Sequence, residues 1–199
     1  MERYNFTLQQ HYRSVSPPDE DPGVDDPNVL GGGGGAPAPI AYGLNVTYFD
    51  ESNFTGHSVS KVDPYINYNW GFNAPYPQLG RDTFSAIWSG NVNVTQAGKY
   101  TFYARTDDGV RLYIDGRLII NAWRNKGLSE VRGTIQLSPG RHQIIMQYYE
   151  NKGRASAALS WSATGTIDRV IKFGRRQFTF KRTVTILRKQ VIPPYLFAH

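Results

Sequence analysis

Two carboxylates stand side by side at Asp107 and Asp108, followed by Gly109. Adjacent carboxylates in a loop suit a hard cation, because calcium takes about six to eight oxygen ligands from carboxylates, amides and carbonyls. The same stretch, "RTDDGVRLYIDGRLIINAW", holds a second Asp-Gly pair at Asp115-Gly116. Asp-Gly between alternating apolar residues is a strong hairpin signal, since both residues tolerate positive φ. The residues alone therefore leave two readings of Asp107-Asp108-Gly109: a solvated acidic turn, or a cation loop. General acid–base work by the pair is disfavoured, because neighbouring side chains at a strand end diverge and no second acid cluster faces them in sequence.

A second candidate is "YYENKGRA", Tyr149 to Ala155. Glu150 and Asn151 offer side-chain oxygens, Lys152-Gly153 offers a turn, and Glu150, Asn151 and Lys152 are the candidate ligand-contacting residues; a plain polar hairpin is the alternative. Trp70, Trp88, Trp123 and Trp161 could stack on sugar rings, although buried tryptophans are the commoner case in sandwiches. Asn-x-Thr sequons begin at Asn5, Asn45, Asn53 and Asn93 and read as β-favouring composition. No nucleophile–base set is visible, so no catalytic residue is assigned and an enzyme is not expected. The absence of cysteine excludes disulfides, zinc–thiolate sites and thiol nucleophiles.

These loops need strands to hold them, and strands are what the flanking sequence offers. "LNVTYF", "FSAIWSGNVNV", "GKYTFYART", "VRLYI", "RLIINAW", "EVRGTIQL", "RHQIIMQYYE" and "ASAALSWS" are strand-length runs separated by Gly and Pro turns. Tyr100, Phe102 and Ala104 alternate with Thr101, Tyr103 and Arg105, and Val110, Leu112 and Ile114 alternate with Arg111 and Tyr113. Many short strands of this kind predict an all-β fold, an antiparallel sandwich or a barrel.

The 199 residues divide into three regions. Residues 1–42 carry 2 basic and 6 acidic side chains and a five-glycine run, which predicts an extended acidic Gly/Pro-rich arm or linker. Residues 43–163 form the predicted sandwich. Residues 164–199 carry 8 basic and 1 acidic side chain and alternate as strands, predicting a basic β-rich C-terminal extension. Its Arg175-Arg176 and Lys181-Arg182 pairs near Phe178 and Phe180 could meet an anionic polymer, but a solvated or subunit-facing strand is favoured over nucleic acid. No apolar run reaches the roughly 18 residues of a membrane span. The opening "MERYNFTLQQHYRS" lacks a basic start and apolar core, so no secretory signal peptide is expected there.

The blocks "GLNVTYFDESNFTG", "VDPYINYNWGFNAP", "FSAIWSGNVNVTQAGKYTFYARTDDGVRLYIDGRLIINAW" and "GTIQLSPGRHQIIMQYYENKGRASAALSW" occur in that order through residues 43–163. Together they resemble the PA-fourteen domain, the β-sandwich of anthrax protective antigen, glycosidases, toxins and yeast adhesins. The resemblance implies an antiparallel sandwich that in many members binds carbohydrate. In the adhesin branch two consecutive aspartates joined by a cis peptide hold calcium, which coordinates sugar hydroxyls; Asp107 and Asp108 match that pair, and a third metal ligand falls at or near Asn151.

Two functions are expected from this combination. One is a non-enzymatic structural or adhesion component of a larger assembly, a bacteriophage virion protein that displays a glycan-binding head and docks on neighbouring subunits through residues 1–42 and 164–199. The other is a stand-alone calcium-dependent module that binds cell-surface glycans on a surface or secreted protein. The first places the chain in a virion or on an extracellular surface, because assembly and lysis need no leader.

Overall fold

The computed structural model describes residues 43–173 and 176–198. The strands are, in chain order, β1 (Leu44–Phe49), β2 (Ser58–Asp63), β3 (Asn67–Gly71), β4 (Ser85–Val94), β5 (Gly98–Asp107) and β6 (Gly109–Ile114). They continue with β7 (Arg117–Ala122), β8 (Ser129–Leu137), β9 (Gly140–Tyr149), β10 (Ala155–Phe173), β11 (Arg176–Val191) and the short β12 (Phe197–Ala198). One sheet has the order β2-β1-β4-β9-β6-β7 with β12 on β4; the other has the order β11-β10-β5-β8 with β3 on β10. All of these pairings are antiparallel, and the two sheets form a sandwich. The expected arm at residues 1–42 lies outside the described residues.

Period-two alternation sorts the side chains as expected. Tyr100, Phe102 and Ala104 of β5, and Val110, Leu112 and Ile114 of β6, are all buried in the core. Trp88, Tyr48, Tyr148 and Phe84 pack beside them, and burying each such side chain contributes roughly 1.5–3 kcal/mol. A polar knot closes one flank of this core. The fully buried Asp63 accepts hydrogen bonds at Oδ2 from Tyr48 Oη (2.7 Å) and Trp88 Nε1 (2.8 Å), and its Oδ1 faces the Lys61 ammonium at 2.7 Å. That ammonium also lies 5.5–5.8 Å from the ring centroids of Tyr48, Tyr68 and Tyr76. Burial, with the Asp63 charge beside it, pushes the Tyr48 hydroxyl far above its ordinary value.

The C-terminal segment is tied to the sandwich at both ends. β10 crosses position 163 without a break, and Ile192 and Phe197 are buried in the core, with Phe197 paired to Val92. Beyond Thr164, β10 pairs with β11 only, so the two strands leave the sandwich as a ribbon with Val170, Phe178 and Phe180 exposed.

Candidate functional site

The two Asp-Gly pairs do different things. Asp115 and Gly116 have φ of 48° and 73° and join the neighbouring strands β6 and β7, as a primed hairpin turn requires. Asp108-Gly109 joins no hairpin. β5 lies in one sheet and β6 in the other, so Asp108 is the step by which the chain crosses the sandwich. The Asp107–Asp108 peptide is cis. Gly109 pairs with Tyr149, and a Cβ added at 109 would fall 2.0 Å from Tyr149 Cε1. Glycine is needed there because the tyrosine ring lies against the backbone.

This crossing meets the β9–β10 loop. One carboxylate oxygen from each of Asp107, Asp108 and Glu150 lies within 4.8 Å of the other two. Three donors hold Asp108: the Lys126 backbone N–H donates to Oδ1 (2.6 Å), the Asn151 backbone N–H donates to Oδ2 (2.9 Å), and the Thr106 hydroxyl donates to its carbonyl (2.9 Å). Tyr148 Oη donates to the Asp107 carbonyl. Glu150 is fully buried, and its own N–H donates to the Phe84 carbonyl at 2.8 Å. Its Oε2 receives only a long contact from Tyr148 Oη (3.4 Å), and its Oε1 is buried with no hydrogen-bond partner.

Electrostatics mark the same spot. Burial, then the charges of Asp108 and Asp107, push the Glu150 carboxyl up to about 8. Burial and Asp108 also raise Asp107, against the Lys126 ammonium and the Leu128 N–H. Lys126 donates from Nζ to Thr106 Oγ1 at 2.9 Å and to the Thr106 carbonyl, and burial lowers it. A protonated Glu150 is what three crowded carboxyls adopt when nothing positive stands between them.

The residues fit a hard cation. Two oxygens on opposite sides of a calcium ion, each about 2.4 Å away, are about 4.8 Å apart, and the three acids fall within that span. The orphaned Oε1 of Glu150 is the atom that most needs such a partner, since an unsatisfied buried carboxylate oxygen is costly. A cation here would reverse the local pKa logic and hold all three acids ionised.

Of the residues singled out in the sequence, Asp107, Asp108 and Glu150 converge directly. Asn151 reaches the cluster through its backbone N–H, and its carbonyl accepts the Thr83 N–H at 3.1 Å. Lys152 is exposed on the same loop, and Gly153 is tied by its N–H to Asp82 Oδ1 at 3.0 Å. Sequence reading passed over Lys126 and Leu128, which reach the site from the β7–β8 loop. Trp88 and Trp161 are core residues, Trp70 packs against the core, and Trp123 is half-buried on the outer side of the larger sheet.

The PA14 domain family model matches residues 41–175. This chain belongs to the PA14 domain family. Over 122 residues, 61% of the chain, it is 38% identical to the anti-sigma-I factor RsgI3 of Acetivibrio thermocellus, and it spans 19% of that protein. Among solved structures, an anti-sigma factor domain-containing protein superposes with a TM-score of 0.67 at 31% identity, over 79% of this chain and 47% of that one. A second, from Clostridium clariflavum, gives 0.64 at 29% identity, over 78% and 46%. The chain thus spans a fifth to a half of the length of these relatives. The PA14 sugar-binding domain from an RTX adhesin shares the fold, with a TM-score of 0.52 at 17% identity, over 71% of this chain and 96% of that one.

These similarities correct the expectation of a bacteriophage virion protein. The relatives above carry the names of anti-sigma factors or anti-sigma factor domain-containing proteins, which points to a regulatory role and away from a virion. That expectation rested on an opening without a leader signature and on the opposite charges of the two flanks, and neither names an assembly. Among the described residues no helix is long and apolar enough to cross a membrane.

Proposed function

We propose that this PA14 domain is a calcium-dependent carbohydrate-recognition module serving as the input part of a regulatory protein related to anti-sigma factors. The observation that carries the reading is the convergence of Asp107, Asp108 and the buried Glu150, whose Oε1 has no protein partner. Asp108 is locked by two backbone N–H groups at its carboxylate and by the Thr106 hydroxyl at its carbonyl, while Tyr148 Oη holds the Asp107 carbonyl, so the acids are positioned before any cation arrives. Calcium bound there would supply open coordination positions for sugar hydroxyls. The β7–β8 and β9–β10 loops frame that point and would supply the contacts that select the sugar. The sugar-binding PA14 domain of the RTX adhesin has the same sandwich, and the regulatory relatives carry a PA14-like segment as one portion of a longer chain. The role is binding, with no catalytic residue assigned.

The test is calorimetric titration of calcium into metal-free protein, followed by a glycan array read in calcium and in chelator. Calcium binding lost in Asp108→Ala, together with glycan signals that vanish in chelator, supports the proposal. Glycan signals indifferent to chelator, or no calcium uptake, would sink it.

A further inference from the structure

Beside the carboxylate cluster, on the outer face of the larger sheet, lies a cavity of about 350 Å³ lined by Ser52, Asn53, Phe54, Arg111, Trp123 and Tyr149. Its walls are built with some care. Phe54 has a left-handed backbone, φ 66°, which a bulky residue adopts only when its surroundings enforce it. Here the Phe54 N–H donates to the buried Ser85 Oγ (3.1 Å), which itself donates to the Glu51 carbonyl (2.5 Å). The Phe54 ring lies 5.6 Å from Trp123, and Trp123 meets Tyr149 edge-on at 4.6 Å. Tyr149 Oη is fixed by donation to Asn125 Oδ1 at 2.8 Å.

Arg111 is the one cation in this wall. Its guanidinium carbon sits 4.4 Å from the Trp123 ring centroid. A guanidinium held over an aromatic ring in this way keeps N–H donors available for a planar anion. Among the described residues no carboxylate lies within ion-pair distance of Arg111, and its stacking on Trp123 is its defining contact. The wall of the cavity is also joined along the chain to the metal-fitting cluster. Tyr149 precedes Glu150, and Trp123 and Asn125 precede Lys126, whose N–H holds Asp108.

We infer that this cavity is an acidic-sugar subsite, in which Arg111 pairs with the carboxylate of a uronic acid unit while Phe54, Trp123 and Tyr149 present apolar surface to the sugar's C–H faces. The inference rests on the carbohydrate-recognition reading above and narrows its ligand class. A half-buried arginine held over an aromatic ring, with no carboxylate ion pair among the described residues, is a specificity element for an anion, and the aromatic lining favours a ring over a bare ion.

The test titrates ¹⁵N-labelled full chain with glucose, galactose and mannose and with their three uronic acids, in calcium and in chelator, while following the Trp123 indole N–H. Glucose 6-sulfate, added as a further arm, separates carboxylate from sulfate recognition. The expected result is that at least one uronic acid binds about tenfold more tightly than its neutral parent, the increment of one good charge-assisted pair. Arg111→Gln should erase that preference, and Arg111→Lys should retain part of it; melting curves of both variants confirm folding. Sulfate preferred over carboxylate, equal affinity for acid and neutral forms, or an equal loss of both in Arg111→Gln overturns the inference. Neutral-sugar binding that needs calcium and Asp108 without acid preference leaves the module reading standing and this inference fallen. Arg111-dependent uronate binding that persists in chelator does the reverse. Binding of none of the six monosaccharides overturns the subsite.

Discussion

Tyr149 lies across the β6–β9 pair from Gly109, with its ring in the space that a Cβ at 109 would occupy. Gly109→Ala therefore forces the ring off the backbone and disturbs Glu150 next to it. Overpacking of this kind costs about 1–3 kcal/mol, and cation affinity should fall with it. Gly116→Ala, where φ is 73° but the added Cβ meets nothing, should cost about 1–2 kcal/mol without touching the site. Chemical denaturation of both variants, paired with calcium titration, separates the two; unchanged calcium affinity in Gly109→Ala would contradict this account.

Glu150→Gln should have opposite effects on the two forms of the protein. It removes a carboxyl that burial, Asp108 and Asp107 all disfavour in ionised form, so the chelated protein should melt at a higher temperature. The same change removes the ligand with the free Oε1, so calcium should stabilise the variant far less than wild type. Thermal shifts in chelator and in excess calcium measure both. A variant that gains as much from calcium as wild type would remove Glu150 from the site.

Asp63 is a structural anchor with no part in the binding site. Asp63→Ala strands the Tyr48 hydroxyl and the Trp88 indole N–H and leaves Lys61 unpaired. Breaking a buried charged network this way costs about 3–5 kcal/mol. Lys61→Met, from the partly exposed side, should cost less. Denaturant midpoints compare the two, and a loss below that of Lys61→Met in Asp63→Ala would refute the ranking.

His142 gives a modest pH dependence. Burial opposes its protonation, but the Asp115 carboxylate at 2.6 Å and the Ser138 carbonyl at 2.9 Å outweigh it, so its folded value lies above the ordinary 6.5. A raised folded value means that this stabilisation is fully present below pH 6.5 and is lost as pH rises through the folded value. Because Asp115 is partly exposed, the amplitude should stay under about 1 kcal/mol. Comparing denaturation of wild type and His142→Gln between pH 5 and 8 isolates the effect, which should vanish in the variant.

Much of the sandwich is legible because two-sided strands write their burial into alternate positions. β1 coincides with "LNVTYF", and the inward residues of β5 and β6 are those the alternation marks. β2 and β3 leave no such trace: "SVSKVD" is mostly exposed and "NYNWG" mixes polar and aromatic residues, so pairing with β1 and β10 makes them strands. β12 is two residues long and exists through its contact with β4. In the site, Asp107 and Asp108 announce themselves as neighbours in sequence. Glu150 was visible as an acid in a loop, but its burial was not, because burial depends on Phe84, remote in sequence just before β4, and on how Tyr148 of β9 packs beside it. Arg111 alternates with core residues as any surface arginine would, and nothing local says that Trp123 folds back over it.

The three acids also sit on a seam. Asp107 ends a strand of one sheet, Glu150 follows a strand of the other, and Asp108 spans the gap between them. A cation gripped by all three would fasten the two sheets at one end like a rivet. Its largest effect would then fall on how long the folded protein survives under load, because the sheets cannot be prised apart there until the ion has left. Occupancy of this small site would then set the tension across the two sheets that the domain withstands.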